Sequence, residues 1–364
     1  MKEKATCKKD TCRKTSIGGQ ALMEGIMMRG TEKSAMAVRR PNGKIFFEEE
    51  QNEKKARPRI CRLPFVRGVF GFVDSMRIGY KYLMRSAEIF CEEDGTQVQC
   101  DAESEQEAAV QETEQNVAVT ATTQEAEEPK SAFGKATMTA IMVIATVLGV
   151  AMALGLFFWL PTFVYQLLAD HVLPESFATS RLTRSVFEGL FKIFILVLYM
   201  ALVSLMKDIR RTFMYHGAEH KTIFCYENGL PLTVQNVKKQ RRFHPRCGTS
   251  FLILMLLVSI VIGLFVPAQF GSLTGVLNTV VRAAVKILLI PVMMGIGYEL
   301  LKLAGRYDNL FTRIISAPGM WLQRITVREP DEDMIECAIM AFVAVMPEED
   351  KEFYLASCES EEQK

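Results

Sequence analysis

Long apolar runs divide this chain. Ala136 to Leu160 carries no charged residue over 25 positions, enough for a helix to cross a hydrocarbon core of roughly 30 Å. Gly189 to Met206 is a second run with one lysine, Lys192, four residues after Glu188. An i,i+4 pair at the helix mouth lowers the cost of that charge. Phe251 to Val266 is a third run, bounded by Ser250 and Pro267. The fourth extends from Ile287 to Leu303, interrupted by Pro291 and carrying Glu299 near its end. Ser272 to Lys286, just before it, predicts a helix lying on or dipping into the membrane. The fold class expected is membrane α-helical, with about four transmembrane helices across residues 136–306.

Shorter periods predict a small cytosolic α+β module built from both terminal segments, residues 16–91 and 307–347. Ala35 to Phe47 alternates around Pro41-Asn42-Gly43, a hairpin signal in which glycine supplies the positive φ. Gln323 to Arg328 predicts a short strand. Asp331 opens a helix with acidic residues in its first turn and Ile335, Ile339 and Phe342 on one face. Phe65 to Phe90 predicts an amphipathic helix rich in aromatics and Arg/Lys, lying in the membrane interface or packed on the module.

Charge is segregated in the same way. The whole chain has 43 Lys+Arg against 42 Asp+Glu, a formal +1, which argues against DNA as a partner. Residues 92–128 hold 12 acidic residues and no Lys or Arg. With the residues to 131 they read as a disordered tether. Residues 1–15 read as a basic flexible arm and 348–364 as a disordered tail. The loop from Lys207 to Thr249 has nine cations, whereas Pro161 to Glu188 has two, Arg181 and Arg184. The positive-inside rule therefore places the 207–249 loop and both termini in the cytoplasm. Nine cysteines without a secretory signal read as reduced thiols facing a cytosol.

Candidate chemistry lies in that basic loop. Three of the four histidines, His216, His220 and His244, fall within 29 residues. On a helix continuing inward from the second span, His216 and His220 stand one turn apart, with Glu219 on the same side. Two imidazoles so placed converge on one metal and leave a carboxylate to polarise water. His244-Pro245-Arg246-Cys247 adds a histidine and a thiol three apart. His-x-x-Glu-His is also the order of the inverted zinc-peptidase motif, whose third ligand is a later glutamate. Glu299, 79 residues after His220, is the candidate. Two arrangements stay open: a closed structural site of His216, His220, His244 and Cys247, or an open catalytic one with Glu219 as base. Gly217 disfavours the helix by roughly 1 kcal/mol relative to alanine and suits close approach of another segment.

Two further features have blander readings. Lys238 to Arg242 with Arg246 reads as an anionic-lipid contact, or more sharply as a site for a phosphate headgroup or ribosomal RNA. Gly18 to Gly30 is rich in glycine and methionine, lacks a P-loop ending, and contains Glu24, a structural partner for an arginine such as Arg29.

Gly18 to Gly30, Tyr215 to Glu227, Phe243 to Phe251, Gly297 to Arg306 and Arg324 to Ala341 together resemble the YqhQ family of bacterial multi-pass membrane proteins. The acidic stretch does not look like part of that pattern. The resemblance implies a cytoplasmic-membrane protein and a metal-dependent enzyme. The expectation is a divalent metal, zinc first, held by His216, His220, His244, Cys247 or Glu299 at the membrane–cytosol boundary. Glu219 would be the base of a hydrolase acting on a peptide or lipid-linked substrate. The alternative is a scaffold or assembly factor with a structural metal, in contact with membrane lipids, membrane proteins or the translation machinery. A transporter is weakened by the lack of paired carboxylates and of an inverted repeat.

Overall fold

Two hairpin turns and one three-residue loop shape the N-terminal sheet. In the computed structural model, which describes residues 15–52, 61, 63–93, 144–267, 269–271, 275–307, 309–351 and 354, strands β1 (Gly18–Leu22), β2 (Gly25–Arg29), β3 (Lys33–Arg39) and β4 (Ile45–Gln51) form an antiparallel sheet in sequence order. Leu22 faces Gly25 across a turn in which Glu24 takes φ +48°. The hairpin expected at Pro41-Asn42-Gly43 is present, with Gly43 at φ +82°. The edge strand β4 presents Glu48, Glu49 and Glu50 to solvent, charges that block pairing with another edge. The basic arm through residue 14, most of the acidic tether, the first part of the expected first span and the end of the tail lie outside the described residues.

Side-chain alternation gives the sheet two apolar faces. Leu22, Met27, Met36 and Val38 pack with Tyr82 and Ile89 of α1 (Val66–Glu93). Ile26, Met28, Ala35 and Ala37 pack on the other side against α4 (Lys207–Glu227) and α9 (Glu332–Val345). The result is a three-layer module with the sheet between helices. The helix expected after Asp331 is α9, with Asp331 at its N-cap. Its central partner is a surprise. The segment containing α4 reads as a polar loop entered by a helix through His216 and His220, yet Tyr215, Ala218, Ile223, Cys225 and Tyr226 are buried between sheet and α9. The loop between apolar helices thus supplies one of the module's core helices. The amphipathic reading of α1 holds on both counts of packing: its first half meets α7 (Ile290–Arg306), where Gly68 lies against Tyr298, and its second half covers the sheet. Its outer stripe of Phe70, Val73, Met76, Tyr80 and Leu83 is exposed.

The apolar region consists of α2 (Ile144–His171, with a π-helical turn at Gly155–Trp159), α3 (Arg181–Val203), α5 (Gly248–Gly263), α6 (Gly275–Leu288) and α7. By length and composition, α2 and α3 are each able to cross a membrane. Leu277–Leu288 and Ile290–Arg306 bend by 42° at their junction and make a third candidate if counted as one span. Helix α5 has 16 residues, roughly 24 Å of helix, which is short of a full crossing. The expected count of four thus becomes two or three among the described residues. Helix α2 also runs past the expected end at Leu160, because Pro161 falls in the first turn of its regular α-helical part, where its missing N–H costs little. The expected pair of Glu188 with Lys192 gives way to pairs of Glu188 with Arg184 and Lys286.

Two departures near the C-terminus position the site. Gln323 to Arg328 is not a strand: α8 (Leu310–Thr326), capped by Asn309 and Thr312, runs through Thr326, and the chain is then extended to Pro330. The β-branched residues there end a helix that packs on α5, where Gly319 meets Ser250. Gln323, fully buried, clamps the 244–250 segment: its Oε1 accepts from the His244 amide (2.9 Å) and its Nε2 donates to the His244 carbonyl (2.8 Å) and Ser250 Oγ (3.0 Å). Helix α4 does not continue α3; the chain breaks at 204–206, with Met206 extended at the N-cap. The strap 327–330 crosses α4 at Gly217, where an added Cβ would stand 1.9 Å from the Arg328 carbonyl oxygen, and the Arg328 amide donates to the Phe213 carbonyl (2.9 Å).

Three stability measurements check this frame. Helix propensity alone expects Gly217→Ala to stabilise by roughly 1 kcal/mol; the strap contact expects a loss of about 2 kcal/mol or more, read as a lower denaturation midpoint. Tyr215→Phe next door should be neutral or stabilising, because the buried hydroxyl has no hydrogen-bond partner among the described residues. Gln323→Leu should cost about 3 kcal/mol, since it orphans the buried His244 amide and Ser250 hydroxyl and leaves the His244 carbonyl with the Cys247 amide alone.

Candidate metal centre

Helix α4 places His216 and His220 one turn apart, their rings 4.5 Å between centroids and edge-on. Cys247 reaches them from the N-cap of α5. Its Sγ is 3.2 Å from His216 Nε2 and accepts from the Thr249 amide at 3.4 Å. Each of His216, His220 and Cys247 brings one ligand atom within 4.8 Å of the others. Ligands of a single zinc, with bonds of about 2.0 Å to nitrogen and 2.3 Å to sulfur, stand roughly 3.3–3.6 Å apart. The His216–Cys247 separation is already near that size.

Backbone carbonyls set the imidazole tautomers. His216 Nδ1 lies 3.0 Å from the Thr326 carbonyl oxygen and His220 Nδ1 lies 2.6 Å from that of Arg242. Carbonyls only accept, so both Nδ1 atoms carry the proton and both Nε2 atoms keep a lone pair. This arrangement is the usual outer support of a metal-ligating histidine. Burial, together with the neighbouring His216, pushes His220 down from its ordinary value and keeps it neutral, the form that ligates. His220 and Cys247 are buried; His216 is half-buried and gives the cluster its access to the outside.

Glu219 stands beside these residues but is turned to the sheet. Its Oε1 accepts from the Gly19 amide at 3.0 Å. Burial pushes its carboxyl up from the ordinary range, opposed by His216 and the Gly19 hydrogen bond. Gly19 has no room for a side chain: a Cβ would meet the Met27 carbonyl oxygen at 2.7 Å and the Glu219 carboxyl carbon at 3.0 Å. The glycine-rich stretch is therefore a wall of this site. Glu24 within it is a structural partner, as expected, but of Arg211 rather than Arg29.

The other two candidate ligands are held elsewhere. His244 is close, 5.6 Å from His220 between ring centroids. However, its Nδ1 accepts from the Arg246 amide (3.2 Å) and its Nε2 faces Glu227 at 3.8 Å. Glu227 is a hub missed by motif reasoning: it accepts from the Thr15 amide (2.9 Å) and pairs with Arg246. Burial pushes its carboxyl up, but His244, Arg246 and Thr15 outweigh that and hold it below its ordinary value. Glu299 is not brought to the histidines. Arg67 of α1 grips it with two hydrogen bonds, 2.6 and 2.5 Å. The match in spacing with a third-ligand glutamate reflects helix order, not proximity. Gln323 and the Thr326 carbonyl also escaped notice, because a backbone acceptor has no sequence signature and a lone glutamine is ordinary.

The chain's relatives carry the same reach. Residues 63–348 match the family described as "Protein of unknown function (DUF1385)". The chain is similar to the "Uncharacterized protein YqhQ" of Bacillus subtilis (strain 168), 32% identical over 329 residues that cover 90% of this chain and 91% of that protein. No solved structure matches it. With a match extending over most of both chains, this protein belongs to the DUF1385 family, the family of YqhQ.

Proposed function

We propose that His216, His220 and Cys247 hold a divalent metal, zinc by the softness of the donor set, where the apolar helices meet the three-layer module. The observation that carries this reading is the pair of carbonyl-fixed histidine tautomers aimed at one thiol. Two Nε2 lone pairs and a sulfur at that spacing suit a soft divalent cation, which would take the place of the hydrogen bond between the Cys247 thiol and His216 Nε2. Three protein ligands with His244 engaged by Glu227 leave a fourth position, the pattern of a catalytic zinc.

The function favoured is a metal-dependent hydrolase with a peptide or lipid-linked substrate, in an integral membrane protein with both termini in the cytoplasm, the two or three candidate spans and the shorter α5 being its described membrane segments. Zinc bound there supplies Lewis-acid polarisation of a carbonyl or phosphoryl oxygen and a lowered pKa for water. Glu219, its raised carboxyl poised by burial, takes a proton at the oxygen not engaged by Gly19. Half-buried His216 marks the side from which substrate enters. The exposed stripe of α1, Phe70 to Leu83, is the face that lies on lipid.

The burial of His220, Cys247 and Glu219 supports a second reading. A metal there ties together α4, the 242–250 segment and the C-terminal end of α8, as a structural ion in a scaffold or assembly factor does.

Metal analysis of the purified protein tests the site. About one equivalent of zinc is expected, and His216→Ala or Cys247→Ser should remove it, whereas Glu299→Gln should leave it in place. Absence of stoichiometric metal from the unaltered protein, or unchanged content in His216→Ala, refutes the site. Glu219→Gln separates the two readings. The hydrolase expects a folded, metal-loaded protein that fails to complement a deletion strain, and the scaffold expects complementation.

A further inference from the structure

A second polar cluster lies inside the apolar helices and plays no part in the metal site. Arg184, Glu188 and Lys192 follow one another at i,i+4 spacing on one face of α3, and Arg282 and Lys286 do the same on α6. All four of Glu188, Lys192, Arg282 and Lys286 are at least nine-tenths buried. Glu188 accepts from Arg184 Nε (3.0 Å) and Thr162 Oγ1 (3.3 Å), pairs with Lys286, and stands 3.7 Å from Arg282 Nη2. From Lys192, α3 runs 11 residues further to Val203, roughly 16 Å of helix, before the break at 204–206 that precedes the histidine-bearing α4.

The charges do not balance. Three cations, Arg184, Arg282 and Lys286, share the Glu188 carboxylate and Lys192 adds a fourth, an excess of three positive charges. Arg184 Nη2 and Arg282 Nε and Nη1 are buried without a hydrogen-bond partner among the described residues. Lys192 directs its ammonium over the Phe158 ring, 5.2 Å from the centroid, and not to a carboxylate. Taking a cation out of water costs several kcal/mol unless an anion compensates, and one glutamate cannot compensate four.

The cluster opens onto a cavity of about 200 Å³ whose wall includes Lys192 and Lys286. The rest of the lining is almost wholly apolar, with Phe157, Phe158, Met255 and Met293 prominent. Two lysine side chains at one wall, their ammonium groups on Glu188 and over the Phe158 ring, and hydrocarbon elsewhere match an oxyanion joined to an acyl chain, once those ammonium groups turn to it.

We propose that this cavity binds one anionic lipid, its phosphate or carboxylate head on Lys192 and Lys286 and its chain along Phe157, Met255 and Met293. Arg184 and Arg282 raise the positive potential at the head. Glu188 keeps the cluster assembled when the lipid is absent. The lipid is drawn from the surrounding bilayer, because the cavity lies among the helices that would contact it.

Native mass spectrometry of the full-length protein, released from nanodiscs of equal phosphatidylglycerol and phosphatidylcholine, tests this. One phosphatidylglycerol per chain should be retained in preference to phosphatidylcholine. Lys192→Met and Lys286→Met should each weaken retention about tenfold, as expected for loss of one charge-assisted contact. Equal retention of the two lipids by the unaltered protein overturns the proposal without recourse to any variant. So does undiminished phosphatidylglycerol retention in the Lys192→Met, Lys286→Met double variant. Displacement of the lipid by millimolar inorganic phosphate, which has no chain, overturns the lipid assignment in favour of a free anion.

Discussion

The contact between the 327–330 strap and Gly217 holds the rest of this molecule in register. A peptide carbonyl sits where any other residue would carry its Cβ, so the C-terminal segment lies flush on α4. That approach brings the Thr326 carbonyl to His216 and lets Arg328 hydrogen-bond to Phe213. It also leads the chain into α9, which closes the apolar face of the sheet. Glycine weakens a helix by removing a side chain from it; here the space left by that side chain is what allows two backbones to meet.

Around this contact, charge is matched across distant parts of the chain. Four of the nine cations in residues 207–249 pair with carboxylates supplied elsewhere in the module, Arg211 with Glu24, Lys221 and Arg242 with Glu329, and Lys238 with Glu332, and a fifth, Arg246, pairs with Glu227 of α4 itself. A basic loop that would suit a lipid or RNA surface is thus partly neutralised by the fold itself. Most of these pairs are exposed and contribute little stability each. Buried Lys221 and half-buried Glu227 hold the segments that carry His220 and His244.

Local signals were readable where one side chain or one period sufficed. The hairpin at Gly43, the helix after Asp331, the apolar helices α2 and α3 and the placing of His216 and His220 one turn apart all follow from spacing and residue type. The strand reading of 323–328 failed because β-branched residues at a helix end look like a strand until packing on α5 decides. The helix through His216 and His220 was legible, but its burial was not: the window of α4 is polar overall, yet packing buries its second half nearly all round from Tyr215 to Tyr226.

By itself, the sequence determined which segments are apolar enough to leave water, where the last two strands of the sheet turn, and that histidine, cysteine and glutamate lie close along the chain. Those properties depend on composition and short-range periodicity. Tertiary structure decided which of the candidate ligands meet. His244 turned to Glu227, Glu299 went to Arg67, and Glu219 turned to Gly19. Each choice depends on a partner 17 to 232 residues away, and such partners are fixed by packing, not by spacing. The carbonyls of Thr326 and Arg242 that orient the imidazoles belong to the backbone. Every residue has such a group, so only the fold could select these two.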